Sequence, residues 1–453
     1  MKAKKAHKKL PEKLIQSSNL FPVVGIGASA SGLDAFKKLL KAVSEDSGMA
    51  YVLVQHLDPN HESMLPALLQ KITNVPVLEV VDDIKIEPNH IYVIPSNKMM
   101  VATDGVLLLT TRPDKNKFER HLPIDLFFAS LAEVHQSHAI GVVLSGTASD
   151  GTLGLKAIKD HGGITFAQDE ASAAYEGMPH SAAQAGVVDF ILPPGKIPQK
   201  IMEVTSIINK NGGEEFLPKK EEDAFKQMIS LLRIRKGTDF TYYKQTTIRR
   251  RILRRMALNK NDDPQAYLNF LRENKSEQDI LYLDLLIPVT DFFRDPSSFE
   301  GLNEKVFPDI IKNKTGHDSI RVWVAGCSTG QEAYSIAICF REFLGDSQQK
   351  VQIFATDISE PAIAKARSGI YLKNELESVS AHRLAEFFVK TNGHYQVKRY
   401  VRDMCIFASH NFVKDPPFGK IDLVTCRNVL IYMEPWNFKA LHSCGNKLHD
   451  SQM

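Results

Sequence analysis

From Phe21 onward, short apolar runs alternate with amphipathic stretches. The segments FPVVGIG (21–27), AYVLVQH (50–56), HIYVIP (90–95), AIGVVLSG (139–146), GITFAQ (163–168) and VVDFIL (187–192) read as buried strands. Runs of this length bounded by turn residues suit strands covered on both faces. After the first run, Leu33, Phe36, Leu40 and Val43 recur at helical spacing. Strands alternating with helices predict a doubly wound parallel α/β sheet. The pattern stops near Ile208, where NKNGGEEFLPKKEED has the glycine, proline and mixed charge of an exposed linker. Phe225, Met228, Ile229 and Leu232, then Ile248, Ile252 and Met256, then Tyr267, Phe270 and Leu271 follow at helical spacing. They predict a small all-helical domain. Strand signals return in SIRVWVAG, VQIFATDI and KIDLVTC, which predict a second, Rossmann-like α/β domain. The boundaries expected are a basic leader at 1–20, the first α/β domain at 21–207, a linker at 208–222, the helical domain at 223–286 and the second α/β domain at 287–453. No period of the kind that marks a solenoid is present.

Composition narrows the classes. Lysine and arginine number 56 against 53 acids, a net charge of +3, too balanced for a general nucleic-acid binder. No apolar run is long enough for a transmembrane helix, and the basic start MKAKKAHKKLPEK is not followed by an apolar segment, so a cytoplasmic protein without membrane insertion is expected. The five cysteines, Cys327, Cys339, Cys405, Cys426 and Cys444, have no C-x-x-C spacing. Neither a disulfide framework nor a metal site is predicted.

The first strand-to-helix turn carries the first candidate chemistry. Ester cleavage by a serine needs a base, a group that orients the base, and donors for the oxyanion. Ser29 follows the first strand, His56 ends the second and Asp150 follows AIGVVLSG. These three are expected together at the carboxyl ends of parallel strands, where ligands gather. The helix predicted after Ser29 would turn free N–H groups toward an oxyanion. The stretch from Gly25 to Ala30 also fits the G-x-G-x-x-G/A dinucleotide fingerprint, so an NAD-dependent oxidoreductase stands as the alternative. Against it, the second strand ends in Gln55 and His56, with no acid to hold a ribose.

The second candidate lies in VWVAGCSTG (322–330), again a strand, a glycine turn and a helix. It satisfies the G-x-S-x-G nucleophile elbow with Ser328. Asp357, at the end of VQIFATD, favours a nucleoside cofactor, because an acid there can hold both ribose hydroxyls. The plainer alternative makes Asp357 a helix cap. Methyl transfer from a sulfonium to a carboxylate needs orientation more than a base, since glutamate with a pKa near ~4.3 is already ionised at neutral pH. Arg294 in VTDFFRDP and Tyr432 in RNVLIYM fit as groups that orient the carboxylate. A surface ion pair and a packing tyrosine are the plainer alternatives for these two.

The motifs GASASG, VQHLDPNH, HIYVIPSN, LSGTASDGTLGLKAIKDHGG and AQDEASAAYEGMP resemble the catalytic domain of protein-glutamate methylesterases, the CheB family of bacterial chemotaxis, over about residues 21–205. The resemblance implies a triad at Ser29, His56 and Asp150, no cofactor, a glutamyl methyl ester on a receptor as substrate, and glutamine deamidation as a second activity. Ala30 and Ser31 depart from the family's G-A-S-T-G-G, and a side chain at Ser31 is expected to narrow the oxyanion pocket. Thr147 stands where the family often has methionine. The family's receiver domain has no counterpart ahead of Phe21, so control by receiver phosphorylation in cis is not expected.

The motifs TTIRRRILRRMAL, VTDFFRDPSSFE, VAGCSTGQEAYSIAI, FATDISEPAIAKARSGIY and CRNVLIYM are similar to the protein-glutamate methyltransferases, the CheR family, over about residues 223–435. The resemblance implies that Thr290, Arg294, Glu332, Asp357, Asn411, Phe412, Arg427 and Asn428 contact S-adenosylmethionine and that Tyr432 lies beside the methyl-transfer site. Gln331 and Pro288 replace a family glutamate and asparagine. Arg250, Arg251 and Arg254 share one side of a helix, which resembles the family's basic helix for acidic receptor helices; a solvated charged face is the alternative. The final NFKALHSCGNKLHDSQM does not resemble the family, so a truncated transferase domain is expected. A bifunctional enzyme acting on chemotaxis receptors or related signalling proteins follows, with a catalytically weak adaptor as a rival of another class.

Overall fold

The computed structural model describes residues 17, 21–29, 32–55, 64–111, 122–212, 219–312, 314, 318–345, 347–376, 378–391 and 393–434. The chain divides into two compact units, Met1–Leu231 with Arg249–Leu281, and Leu232–Ile248 with Tyr282–Met453.

The first α/β region contains strands β1 (Val23–Ala28), β2 (Ala50–Gln55), β3 (Val77–Glu79), β4 (Ile84–Lys85), β5 (His90–Val93), β6 (Lys98–Thr103), β7 (Val106–Thr111), β8 (Ala139–Val143), β9 (Ile164–Gln168) and β10 (Phe190–Leu192). Its helices are α1 (Leu33–Leu40), α2 (Leu65–Gln70), α3 (Pro123–His135), α4 (Thr152–Asp160), α5 (Gly177–Gln184) and α6 (Ile197–Gly212). A seven-stranded sheet runs β10-β9-β8-β1-β2-β5-β3, with every pair parallel. All the strands expected from contiguous apolar runs lie in it. Not anticipated were β3 and a separate antiparallel sheet, β4-β7-β6.

Alternation along β1 sends its residues to two cores. Val24, Ile26 and Ala28 pack with Phe36 and Leu39 of α1 and Ile197 and Ile201 of α6. On the other face, Val23 joins a core with Phe127, Phe128 and Leu131 of α3 and Leu155 of α4. Fully burying a side chain such as Phe127 or Phe128 contributes about 1.5–3 kcal/mol. The glycines of β1 make this packing possible. A Cβ on Gly27 would lie 2.4 Å from Cγ2 of Ile124, and one on Gly25 would lie 2.8 Å from Cε1 of Phe128.

Four helices follow, α7 (Lys219–Lys236), α8 (Gln245–Leu258), α9 (Pro264–Glu273) and α10 (Lys275–Leu285). The start of α9 follows from its sequence: Asp263 accepts the Ala266 N–H at 2.9 Å, and Pro264 occupies the first turn, where no N–H is missed. Glu277 of α10 ties this group together. It receives a two-pronged bond from Arg255, at 2.9 and 2.6 Å, and the Tyr267 hydroxyl at 2.7 Å.

The second unit contains α11 (Pro296–Gly301), α12 (Phe307–Lys312), β11 (Ile320–Ala325), α13 (Gln331–Leu344), β12 (Val351–Asp357), α14 (Glu360–Ser368), β13 (Ile370–Leu372), β14 (Phe388–Thr391), β15 (His394–Val397), β16 (Cys405–Ser409) and β17 (Leu423–Thr425). The parallel sheet runs β16-β12-β11-β17, and β13-β15-β14 form a small antiparallel sheet. Among the described residues, Cys327, Cys339, Cys405 and Cys426 form no disulfide; Cys444 lies outside them. Among the described residues no group of histidine, cysteine or acidic side chains has metal-binding geometry, and no helix is long and apolar enough to cross a membrane.

Candidate functional site

In the first sheet the strand order reverses at β1, with β2 on one side and β8 on the other. Such a reversal opens a crevice beyond the carboxyl ends of the strands. Ser29 sits there. Its N–H donates to the Ser145 carbonyl at 3.2 Å, and its own carbonyl accepts from the Gly32 N–H at 2.8 Å and from Nε2 of Gln55 at 3.0 Å. Gly146 leaves room for Ser29: a Cβ there would lie 2.9 Å from Cβ of Ser29 and 2.1 Å from Sδ of Met178.

Asp150, only 2% exposed, lies on the same loop, between β8 and α4. Its carboxylate accepts the Ile124 N–H at 3.2 Å and the Asp125 N–H at 2.9 Å. These belong to the first turn of α3, whose N–H groups have no partner within the helix. Asp125 in turn accepts the Gly154 N–H of α4 at 2.7 Å. Two helix starts thus hold the acid and its loop. His56, Ala30 and Ser31 lie outside the described residues. Thr147 is exposed, and the next residue, Ala148, has φ +67°. The dinucleotide alternative is corrected by β1 itself. Gly25 and Gly27 lie within the strand, paired on both sides and backing α3, and not at a turn where a pyrophosphate would approach.

The second sheet repeats the design, with the order reversing at β11 between β12 and β17. One cavity at these strand ends is lined by Thr290, Arg294, Glu332, Asp357, Asn411, Phe412, Arg427, Asn428 and Tyr432, together with Gly326 and Ser328. Asp357 accepts the N–H groups of Ser328 at 2.9 Å and Ser359 at 2.8 Å. Burial raises its pKa, against the pull of those bonds. It is not the cap of the next helix; Ser359 is, through a bond from the Ala362 N–H at 3.4 Å. Ser328 adopts φ +47°. The elbow reading lacks a base, since among the described residues no histidine lines the cavity.

Glu332 is 8% exposed, and its Oε1 finds no hydrogen-bond partner among the described residues. Burial pushes its pKa up to about 7, with the positive charges of Arg427 and Arg294 opposing. Arg427 is fixed by bonds to the Arg294 carbonyl at 2.6 Å and the Asp295 carboxylate at 3.0 Å, and its guanidinium lies over the Phe299 ring. Tyr432 is held by its carbonyl, which accepts the Lys244 N–H at 2.9 Å, while the Tyr242 carbonyl accepts from Glu434 at 3.0 Å. The same short segment brings Asp239, Tyr242 and Tyr243 into the cavity wall, which sequence reasoning missed. Burial raises the Tyr243 pKa, and the neighbouring Asp357 adds to the rise. Gln331 is buried and its Oε1 accepts the Thr329 hydroxyl at 2.7 Å, while Pro288 lines the cavity.

The cavity walls suit the polar ends of a nucleoside cofactor: besides Oε1 of Glu332, the buried Oγ of Ser328 is without a partner among the described residues. Family models agree with both halves. Residues 24–201 match CheB methylesterase, 223–286 match CheR methyltransferase, all-alpha domain, and 288–449 match CheR methyltransferase, SAM binding domain. A putative methyltransferase, Cher3, from Pseudomonas putida is 34% identical over 217 residues, 45% of this chain and 76% of that protein. The chain belongs to the CheR methyltransferase family, and its residues 24–201 form a region similar to the CheB methylesterase family. A protein-glutamate methylesterase/protein-glutamine glutaminase from Burkholderia lata is 38% identical over 185 residues, 40% of this chain and 54% of its own. An uncharacterized 104.1 kDa protein of Rhodobacter capsulatus is 34% identical over 395 residues, 82% of this chain. The chain spans 41% of that relative's length. S-adenosylmethionine is the cofactor of the CheR part.

The basic helix departs from the family-based expectation. Arg250 is exposed, but Arg251 is 6% and Arg254 2% exposed. Arg251 donates to the Asp160 carbonyl, and Arg254 grips both oxygens of Asp189 at 2.7 and 2.6 Å. Arg251 and Arg254, both expected to meet a receptor, are engaged within the chain.

Proposed function

We propose that this chain edits glutamate side chains of bacterial chemoreceptors in both directions, as a serine methylesterase and as an S-adenosylmethionine-dependent methyltransferase. The observation that carries the reading is the repeated reversal of strand order, with Ser29 and Asp150 following strands that flank the first reversal and the candidate cofactor residues lining the cavity at the second. In the esterase, Ser29 is the nucleophile, His56 the base and Asp150 the group that orients the base. The Ser29 oxygen bonds to the ester carbonyl carbon while its proton passes to His56, and methanol departs with that proton. Water, losing its proton to His56, then adds to the acyl carbon, and the Ser29 oxygen leaves with that proton, freeing glutamate. The same steps on glutamine release ammonia.

In the transferase, S-adenosylmethionine when bound supplies an electrophilic methyl group. The Glu332 carboxylate would receive the ammonium of its amino-acid end, and Asp357 would take the ribose hydroxyls. Thr290, Asn411, Phe412, Arg427 and Asn428 would enclose it. Arg294 and Tyr432 orient the glutamate carboxylate, which needs no base because it is already ionised.

The test incubates the full chain with a receptor fragment and labelled S-adenosylmethionine. Ser29→Ala is expected to abolish methanol release and leave methyl incorporation, and Asp357→Ala to do the reverse. Ester hydrolysis that persists in Ser29→Ala refutes the esterase assignment. Receptor binding by the wild type with neither reaction supports the adaptor instead.

A further inference from the structure

Three features of α8 converge on the esterase region. Arg251 donates to the carbonyl of Asp160, the last residue of α4. Carbonyls at a helix C-terminus lack partners and carry the negative end of the helix dipole, so a guanidinium suits them. One turn on, Arg254 donates from Nε to the Gly163 carbonyl at 2.9 Å and from Nη2 to both oxygens of Asp189. Asp189 also accepts the N–H and hydroxyl of Thr165, at 3.1 and 3.0 Å, and lies 3.6 Å from Nζ of Lys159. The side chains of Arg254 and Asp189 are 2% and 5% exposed, so the pair is desolvated and every charge in it is answered. Ala257 then enters the same apolar core as Ile164, Phe166 and Ile201, with Leu258 packed against it.

We propose that α8 is an intramolecular clamp, whose arginine face takes this chain's own esterase region as its partner and makes residues 249–281 one cooperative unit with that region. Geometry and burial both support this. A solvated face would leave long arginine side chains exposed and unordered. Here a guanidinium that spans a backbone carbonyl and both oxygens of a carboxylate, a helix cap and an apolar anchor lie along one helix. With the clamp closed, an acidic helix from outside meets neither Arg251 nor Arg254.

The test uses the full chain with a protease site placed within residues 213–218. After cutting, the halves are expected to co-elute in size exclusion at micromolar concentration. Removing one member of a buried pair strands the other charge, so Arg254→Asp and Asp189→Asn are each expected to weaken the association by roughly a hundredfold or more. Arg254→Lys keeps the charge and loses the fork; it should weaken it less, and replaces the aspartate variant if that fails to fold. Reversal at the exposed Arg272, bonded to Gln227 instead, should leave the association of the halves within a few-fold. Halves that separate in the wild type, or that hold equally well in Arg254→Lys and Asp189→Asn, overturn the clamp.

Discussion

Cofactor affinity should depend on pH through Glu332. Its carboxyl is 8% exposed, its pKa stands at about 7, and Oε1 is unpartnered among the described residues. In its proposed role as acceptor for the cofactor's ammonium it must be ionised. With a pKa of about 7, the ionised fraction is about 0.1 at pH 6 and about 0.8 at pH 7.5, so affinity rises roughly eightfold across that range, about 1.3 kcal/mol. The sign is opposite for the apo fold. A raised carboxyl pKa favours the protonated form in the folded state, so this group's stabilising contribution is full below the unfolded value and is lost as pH rises through about 7. Bound cofactor should therefore protect most where the free protein is losing stability. Isothermal titration of S-adenosylhomocysteine, which keeps the ammonium, measures this at pH 6, 6.75 and 7.5. Glu332→Gln should bind weakly and with little slope. A flat wild-type profile, or an equal slope in Glu332→Gln, refutes the assignment.

Two further outcomes are expected. Gly146→Ala introduces a Cβ against Ser29 and Met178, so one of them must shift; overpacking of this kind costs about 1–3 kcal/mol. Ester hydrolysis should fall at least tenfold with methyl transfer unchanged, and equal kinetics for the variant would contradict the crowding. His135 is 3% exposed, neither ring nitrogen has a hydrogen-bond partner among the described residues, and burial, helped by His138, lowers its pKa to about 4. Its stabilising contribution is full above the unfolded value near 6.5 and is lost as pH falls toward 4, about 2 kcal/mol between pH 7.5 and 5. Denaturant unfolding of wild type and His135→Phe at both pH values checks this; the same acid loss in the variant would assign it to other groups.

Legibility followed physical redundancy. The central strands were readable because burial on both faces leaves unbroken apolar runs, and Asp357 was readable because a strand ends on it. The β6–β7 hairpin carried a signal that was overlooked. Asp104 and Gly105 between two apolar segments are a two-residue turn pair, and both have positive φ. By contrast β3 is a three-residue edge strand with two exposed positions, too short for a periodic pattern. Asp239 and Tyr243 reach the cavity from a segment that lies about 50 positions ahead of Thr290 and Arg294, which no local spacing reveals. The arginines of α8 look like a solvated run because Asp189, the charge that buries Arg254, stands 65 positions away.

The crossed bonds between Asp150 and the start of α3, and between Asp125 and the start of α4, have a consequence for how the hydrolase fails. The acid proposed for the hydrolase is itself part of the scaffold, because the N–H groups that hold it open α3, and α3 is tied through Asp125 to the start of α4. Heating cannot loosen the acid while leaving those helices intact. Inactivation of hydrolysis and melting of the domain should then be a single event, with no folded but idle state preceding collapse.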